Sequence, residues 1–167
     1  MADVSNPEIK EAYEKVRNDK DDTAWLLLDY ASDKSDVLSL TETGTGASLP
    51  IPPPRSALLS LTNSGECTQG LDELKTKFQD GRASFAYIRV KYSNDAESVR
   101  EKFVLITWIG PDVRVMRKAK LSVHATDVKK VLAAYSIDVA ASSQEDLAEE
   151  PIVKRLRQAG GASYDRA

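Results

Sequence analysis

Cysteine and histidine are scarce in this chain, with one residue of each kind among 167. The single cysteine, Cys67, has no partner for an internal disulfide bond, which is typical of proteins from the reducing cytosol. The single histidine, His124, is distant from Cys67 in the sequence, so a cluster of zinc ligands is not recognisable. We therefore expect no disulfide, no metal site and a cytoplasmic protein.

Sequence motifs of catalysis and nucleotide binding are also missing. The chain contains no G-x-S-x-G nucleophile elbow, no Walker A loop and no G-x-G-x-x-G turn. Adjacent carboxylates occur at Asp21–Asp22 and Glu149–Glu150, but neighbouring charges in polar segments are normally solvated and support no acid–base role. We expect neither an enzyme nor a protein with a bound cofactor.

Long hydrophobic runs are lacking as well. The most apolar run, Phe103–Ile109, is far shorter than the ~18 residues of a transmembrane helix, and the first ten residues lack the apolar core of a secretory signal. The β-branched and aromatic residues of Phe103–Ile109 predict a buried central strand. Two cations, Arg100 and Lys102, precede the run where the strand would emerge into water. We expect no contact with a membrane.

Charge is nearly balanced over the whole chain, with 23 Lys and Arg against 26 Asp and Glu and a net charge of −3. This balance argues against a dedicated nucleic-acid binder. Between Phe85 and Tyr135, however, ten cations face five anions, and residues 136–150 then carry five anions and no cation. The segregation indicates a one-sided electrostatic surface for an acidic macromolecule, and ordinary solvated faces remain the alternative.

Periodicity and turn signals predict the order α, β, β, α, β, β, α, β, α, which indicates a mixed sheet with helices on its faces, in the α/β or α+β class. Residues 113–121 could form either a strand or a loop, and His124 is expected near the start of the third helix, on the surface or partly buried. The predicted elements are a helix with a Ser5–Glu8 capping box and Pro7 in its first turn, ending near Arg17; strands Ala24–Tyr30 and Val37–Leu40; a helix Leu71–Phe78; strands Ala83–Tyr92, with one drier face, and Arg100–Ile109; a helix Val123–Tyr135; a strand Ile137–Val139; and a helix opened by Pro151 and stopped by Gly160–Gly161.

The pattern fails from about residue 41 to 70, where Pro, Gly, Ser and Thr accumulate. This composition predicts a long loop inserted in a single domain that spans residues 1–167. Within it, Pro50–Arg55 (PIPPPR) fits a P-x-x-P-x-R pattern. Such a segment could bind a Src-homology-3-type partner as a preformed polyproline II helix, or it could be a stiff spacer.

Seven cations are the candidate binding residues. Two precede the central strand, three are expected just before the third helix and two on it: Arg100, Lys102, Arg117, Lys118, Lys120, Lys129 and Lys130. If that strand and that helix are neighbours, these side chains gather on one edge of the molecule.

Four motifs carry a resemblance to a known family. They are R-x-K-F-V-L-I-T-W-I-G at 100–110, V-x-x-x-R-K-A-K at 113–120, V-K-K-V at 128–131 and L-x-x-A-G-G-A-S-Y-D at 156–165. With them the chain resembles the coactosins, a branch of the actin-depolymerising-factor homology (ADF/cofilin) family. The resemblance covers roughly residues 6–40 and 71–165.

The resemblance implies a central mixed sheet of five to six strands between helices on both faces. It also implies binding to the side of filamentous actin in the cytoplasm, weak or no binding to monomeric actin, and opposition to filament capping. Carried onto this chain, the family's basic positions match Arg100 and Lys102 at the strand end, Lys118 and Lys120 before the long helix, and Lys129 and Lys130 on it.

Departures from the family pattern qualify these expectations. Ala125 stands where cofilins carry a basic residue, which argues against cofilin-like severing. Glu101 lies between the two strand cations and is expected to lower the local positive potential. Ser5 is only a rough counterpart of the regulatory serine of cofilins. The sequence thus leaves two functions, a non-enzymatic actin-filament binder and an adaptor that recruits a Src-homology-3-type partner through Pro50–Arg55.

Overall fold

The computed structural model describes residues 2–32, 35–45, 69–95 and 98–160. Its elements follow the predicted order, with a short 3-10 helix added before the last helix. They are α1 (Pro7–Arg17), β1 (Trp25–Tyr30), β2 (Leu38–Gly44), α2 (Gln69–Lys77), β3 (Ala83–Asp95), β4 (Ser98–Ile109), α3 (Val115–Val131), β5 (Ile137–Ala141), the 3-10 helix Gln144–Leu147 and α4 (Glu149–Ala159).

The described strands form one mixed sheet of five strands in the order β2-β1-β3-β4-β5. All neighbours are antiparallel except β4 and β5, which are parallel. Because β4 lies between β3 and β5, the apolar run Phe103–Ile109 is internal to the sheet, as its composition predicts. Helices cover both faces, which confirms the predicted α+β architecture.

Alternate strand residues supply two separate cores. Trp25, Ile88 and Trp108 pack on one face with residues of α2 and α4. Phe85 and Tyr87 pack on the other face with residues of α1 and α3. Helices cover both faces of β3, and the face of Ile88 is the drier one, as expected, because the opposite face carries the exposed Lys91.

The ends of α1 and α4 show how short-range signals place a helix. Pro7 occupies the first turn of α1, as expected, but the cap is Asn6 rather than Ser5, since the Asn6 side chain accepts a hydrogen bond of 3.0 Å from the Glu8 amide. In α4, Ile152 and Leu156 form the buried side. This helix begins two residues before Pro151.

The third helix begins eight residues before its predicted start. It spans Val115–Val131, so residues 115–121 are neither strand nor loop. Its N-cap residue, Arg114, makes no side-chain capping bond, and the first turn holds no acidic residue. The usual signals of a helix start are thus missing from the sequence. As a consequence, Arg117, Lys118 and Lys120 lie on α3 rather than before it.

Several features predicted from the sequence lie outside the described residues. These are Cys67, the proline motif Pro50–Arg55 and most of the expected insertion at 41–70, although β2 extends through residues 41–44. Among the residues that are described, no helix is long and apolar enough to cross a membrane. The same residues contain no cluster of side chains that could hold a metal ion.

Candidate functional site

Arg100 and Lys102, which we call the strand-end cations, lie in the first half of β4. Their register partners on β3 are Tyr92 and Val90, which belong to the core beneath α2 and α4. Arg100 is exposed and Lys102 is half-buried. Within the described parts of the chain neither side chain forms an ion pair. Both charges therefore remain available to a partner on the α4 face of the sheet.

Glu101 lies between the strand-end cations in the sequence but is directed away from them in the structure. Successive strand residues point to opposite faces, so Glu101 lies on the other side of the sheet from Arg100 and Lys102. There it forms an ion pair of 2.8 Å with Lys91, its direct register partner on β3. Strand geometry thus separates the carboxylate from the two cations that flank it in sequence.

The end of α4 lies beside the strand-end cations. A Cβ atom placed on Gly160, the C-cap of α4, would be 3.7 Å from the hydroxyl of Tyr92, the register partner of Arg100. Three exposed cations of α4 extend the basic surface of this face: Lys154, Arg155 and Arg157. The sequence reasoning missed them. The sequence signal that could have found them is helical periodicity: with Ile152 and Leu156 on the buried side of α4, these cations fall on its exposed side.

Arg117 is a structural anchor. Its side chain is 10% exposed, and its guanidinium lies 4.1 Å from the centre of the Tyr30 ring and 3.0 Å from an Asp36 carboxylate oxygen. It also donates hydrogen bonds to the carbonyl oxygens of Ser32 (3.2 Å) and Ser35 (2.9 Å). Arg117 therefore fixes the connection between β1 and β2 to α3.

The other two cations in the first half of α3 lie nearer to solvent. Lys120 forms a 2.9 Å ion pair with Asp36, which is therefore shared with Arg117. The Lys120 ammonium, by its hydrogen bond, holds the pKa of the Asp36 carboxyl below its ordinary value. Lys118 donates a 2.9 Å hydrogen bond to the carbonyl oxygen of Pro111. Lys118 and Lys120 thus present positive charge around the start of α3.

Large apolar side chains lie exposed on α3. Val115 is 80% exposed, Met116 74% and Val123 57%. Met116, Lys120 and Val123 follow the helical spacing i, i+4, i+7 and so lie on one stripe. Met116 and Lys120 also line an open cavity of about 680 Å³ between the start of α3 and the end of β1. An apolar patch framed by cations is a feature of protein-binding surfaces.

Lys129 and Lys130 lie at the opposite end of α3. Lys129 forms a 2.8 Å ion pair with Asp138 of β5, and Lys130 one of 3.2 Å with Asp127. Ser136, shortly after α3, donates a 2.8 Å hydrogen bond to the carbonyl of Phe103. These two lysines therefore lie near the end of the sheet that carries the strand-end cations, but on the other face.

The seven predicted cations do not gather on one edge. The strand-end cations share a face with α4, whereas α3 packs on the opposite face. The structure therefore places four of the seven on two separate surfaces, whereas Arg117 is enclosed and Lys129 and Lys130 lie at the far end of α3. The strand-end surface comprises Arg100, Lys102 and the cations of α4, and the α3 surface comprises Val115, Met116, Lys118, Lys120 and Val123.

Two of the five acidic residues at 136–150 have local structural partners. Asp138 pairs with Lys129, and Asp146 caps the 3-10 helix by accepting bonds from the amides of Ser142 (2.9 Å) and Ser143 (3.0 Å). These two amide bonds are the main cause that lowers the pKa of Asp146. Part of the charge segregation in the sequence is thus explained by local structural roles, namely a helix cap and an ion pair.

Comparisons with known proteins show which proteins this chain resembles in sequence and in fold. Residues 1–157 match the family model described as cofilin/tropomyosin-type actin-binding protein. Over 165 residues the chain is 34% identical to coactosin of Dictyostelium discoideum, covering 98% of this chain and 95% of that one.

Solved structures agree with this match. Human coactosin-like protein superposes with a TM-score of 0.72 at 23% identity, over 95% of this chain and 99% of its own. Mouse coactosin, described as an actin filament binding protein, superposes with a TM-score of 0.66 at 26% identity, over 98% and 96% of the two chains.

Proposed function

Because this chain belongs to the cofilin/tropomyosin-type family of actin-binding proteins, we propose that it binds the side of filamentous actin through a non-catalytic surface. The observation that carries the proposal is the α3 surface, where Val115 and Met116 are exposed beside Lys118 and Lys120. Exposed apolar side chains of this size supply affinity when a partner covers them, and the cations around them favour an acidic partner such as actin.

Two binding surfaces on opposite faces of the sheet fit a filament better than a monomer. Neighbouring subunits of a filament present two surfaces side by side, and one molecule can contact both of them at once. The second contact is then intramolecular and adds affinity without a further loss of translational freedom. We therefore propose that the chain binds filaments in preference to monomers.

The cellular role that follows is that of a cytoplasmic protein of the actin cytoskeleton. A protein on the side of a filament near its end can hinder a capping protein sterically, so we propose that the chain opposes capping. Elongation of filament seeds in the presence of a capping protein tests this role. Added chain should restore elongation, and unchanged capping would refute it.

Cosedimentation with actin filaments tests the proposed binding. At low salt the chain should pellet with filaments and stay in solution without them, and the bound fraction should fall as salt rises because the interface cations are screened. A known filament binder serves as the positive control. If it pellets while this chain stays in the supernatant, the proposal is wrong.

Lys102→Ala tests the strand-end surface. We expect filament affinity to fall by about tenfold or more, equivalent to ~1.4 kcal/mol or more. Lys91→Ala is the matched control, since Lys91 lies on the neighbouring strand, is similarly charged and pairs with Glu101 on the opposite face. Equal losses in the two variants would show that net charge alone, and not this surface, determines binding.

The adaptor function stays an alternative proposal that rests on the proline motif. A pull-down with intact and Pro53→Ala chain compares the partners recovered by each. Loss of a Src-homology-3 protein from the Pro53→Ala sample would support recruitment, and an unchanged set of partners would remove this alternative.

A further inference from the structure

His124 is buried in the middle of α3, with 2% of its surface exposed. It was expected near a helix start, on the surface or partly buried. Its Nδ1 atom lies 2.9 Å from the hydroxyl of Tyr30 on β1, and the two form a hydrogen bond. The imidazole lies on the inward-facing side of α3 between Leu121 and Val128, where an aliphatic residue would be usual.

Tyr30 connects His124 to the β1–β2 connection. The face of the Tyr30 ring carries the guanidinium of Arg117, and Arg117 holds Asp36 and the carbonyl oxygens of Ser32 and Ser35. One continuous chain of contacts therefore runs from the His124 imidazole to the β1–β2 connection. We call the four side chains His124, Tyr30, Arg117 and Asp36 the α3 latch.

Protonation of His124 would add a cation to a buried and already positive site. Arg117 and Lys120 on α3 oppose a positive imidazole, as does the amino terminus, and Asp36 is the anion that favours it. Asp36, however, already pairs with both Arg117 and Lys120. Asp127, one turn along α3, is engaged by the Ala2 amide and by Lys130. A protonated Nδ1 also cannot accept the proton of the Tyr30 hydroxyl.

We propose that the α3 latch is an acid-sensitive device, which fixes the β1–β2 connection to α3 while His124 is neutral and loosens it when His124 is protonated. The groups around the latch leave His124 as its titrating member. Burial raises the pKa of Tyr30 to about 12, so its hydroxyl stays protonated near neutral pH. The pKa of Asp36 lies below its ordinary value, so Asp36 stays charged.

The direction of the pH effect follows from burial. Burial lowers the pKa of His124 below its ordinary value of 6.5. The open state then binds a proton more readily than the closed state. Stability of the latch is therefore complete above pH 6.5 and is lost as pH falls below that value toward the pKa of the closed state.

A nuclear magnetic resonance titration of the full chain tests the proposal without any variant. As the chain holds one histidine, its imidazole signal is unambiguous and should titrate with a midpoint below 6.5. The amide signals of Ser35 and Asp36 should shift with the same midpoint. A midpoint at or above the ordinary value, or loop signals that do not follow the imidazole, would overturn the latch.

Hydrogen exchange measures the release itself. The amide of Ala31 donates a hydrogen bond to the carbonyl oxygen of Val37 across the connection, and the amide of Leu38, just after the connection, donates one to the carbonyl oxygen of Asp3. Relative to intrinsic exchange, their protection should fall below pH 6.5 by up to about tenfold per pH unit, the limit for one proton. In His124→Gln, which stays neutral, that fall should vanish. The same fall in both proteins, or none in the unmodified chain, would refute the proposal.

Discussion

Arg117 and Lys118 are neighbours on α3 that carry the same charge in opposite surroundings. Arg117 is almost enclosed by Tyr30, Asp36 and two carbonyl oxygens, whereas Lys118 makes one hydrogen bond to Pro111. The sequence places both in one basic cluster, because residue identity gives the charge but not the burial. Of the seven cations predicted to contact a partner, Arg117 is the one whose contacts within the protein give it a structural role.

Replacing Arg117 with alanine should therefore lower stability. We expect a loss of about 1–3 kcal/mol, since the ion pair, the cation–π contact and the carbonyl bonds disappear together. Lys118→Ala is the control and should change stability by less than ~0.5 kcal/mol. Chemical denaturation of the three proteins measures both values. Equal stabilities for the two variants would contradict the structural role of Arg117.

Gly44 and Gly81 form a second matched pair. A Cβ atom on Gly44 would meet the Trp25 ring closer than any contact allows, whereas one on Gly81 would meet no atom within 4 Å. Trp25 is fully buried and cannot move away at low cost. Gly44→Ala should therefore destabilise by about 1–3 kcal/mol and lower the melting temperature, while Gly81→Ala should not. A thermal melt of both variants decides this, and equal melting temperatures would show that Trp25 can adapt.

At the scale of elements, patterns of side chains predicted the strands and failed at α3. The central residues predicted for strands β1, β3, β4 and β5 are correct, because alternating burial or an unbroken apolar run is a strong signal of a strand. In α3, by contrast, a histidine occupies the inward stripe, and Val115 and Met116 lie outside it on the solvent side. Burial and periodicity therefore disagree in the half of the helix that we propose for binding. Local rules fail most readily at such functional surfaces.

The observed start of α3 can be tested by its response to glycine. Ala119 is exposed within the first half of α3, and Ala133 is exposed just beyond its end. Ala119→Gly should destabilise by ~1 kcal/mol, the usual difference between alanine and glycine inside a helix. Ala133→Gly should have a clearly smaller effect. A neutral Ala119→Gly would place residue 119 outside the helix, as the sequence had indicated.

At the scale of the whole molecule, the sheet determines which cations can act together. The basic residues can be read from the sequence, but whether a strand residue faces α3 or α4 depends on packing between distant elements. For this reason the sequence placed the strand-end cations and α3 on one edge, and missed the cations of α4. We therefore propose a filament-binding molecule with two surfaces, one on each face of the sheet.

A titration of actin filaments with single and double variants tests this account most directly. Lys102→Ala removes a charge from the strand-end surface, and Met116→Ala removes an exposed apolar contact from the α3 surface. Each should weaken filament binding by about tenfold, and in the double variant the two losses should add within ~0.5 kcal/mol. Filament affinity that is unchanged by either single variant would contradict the two-surface account.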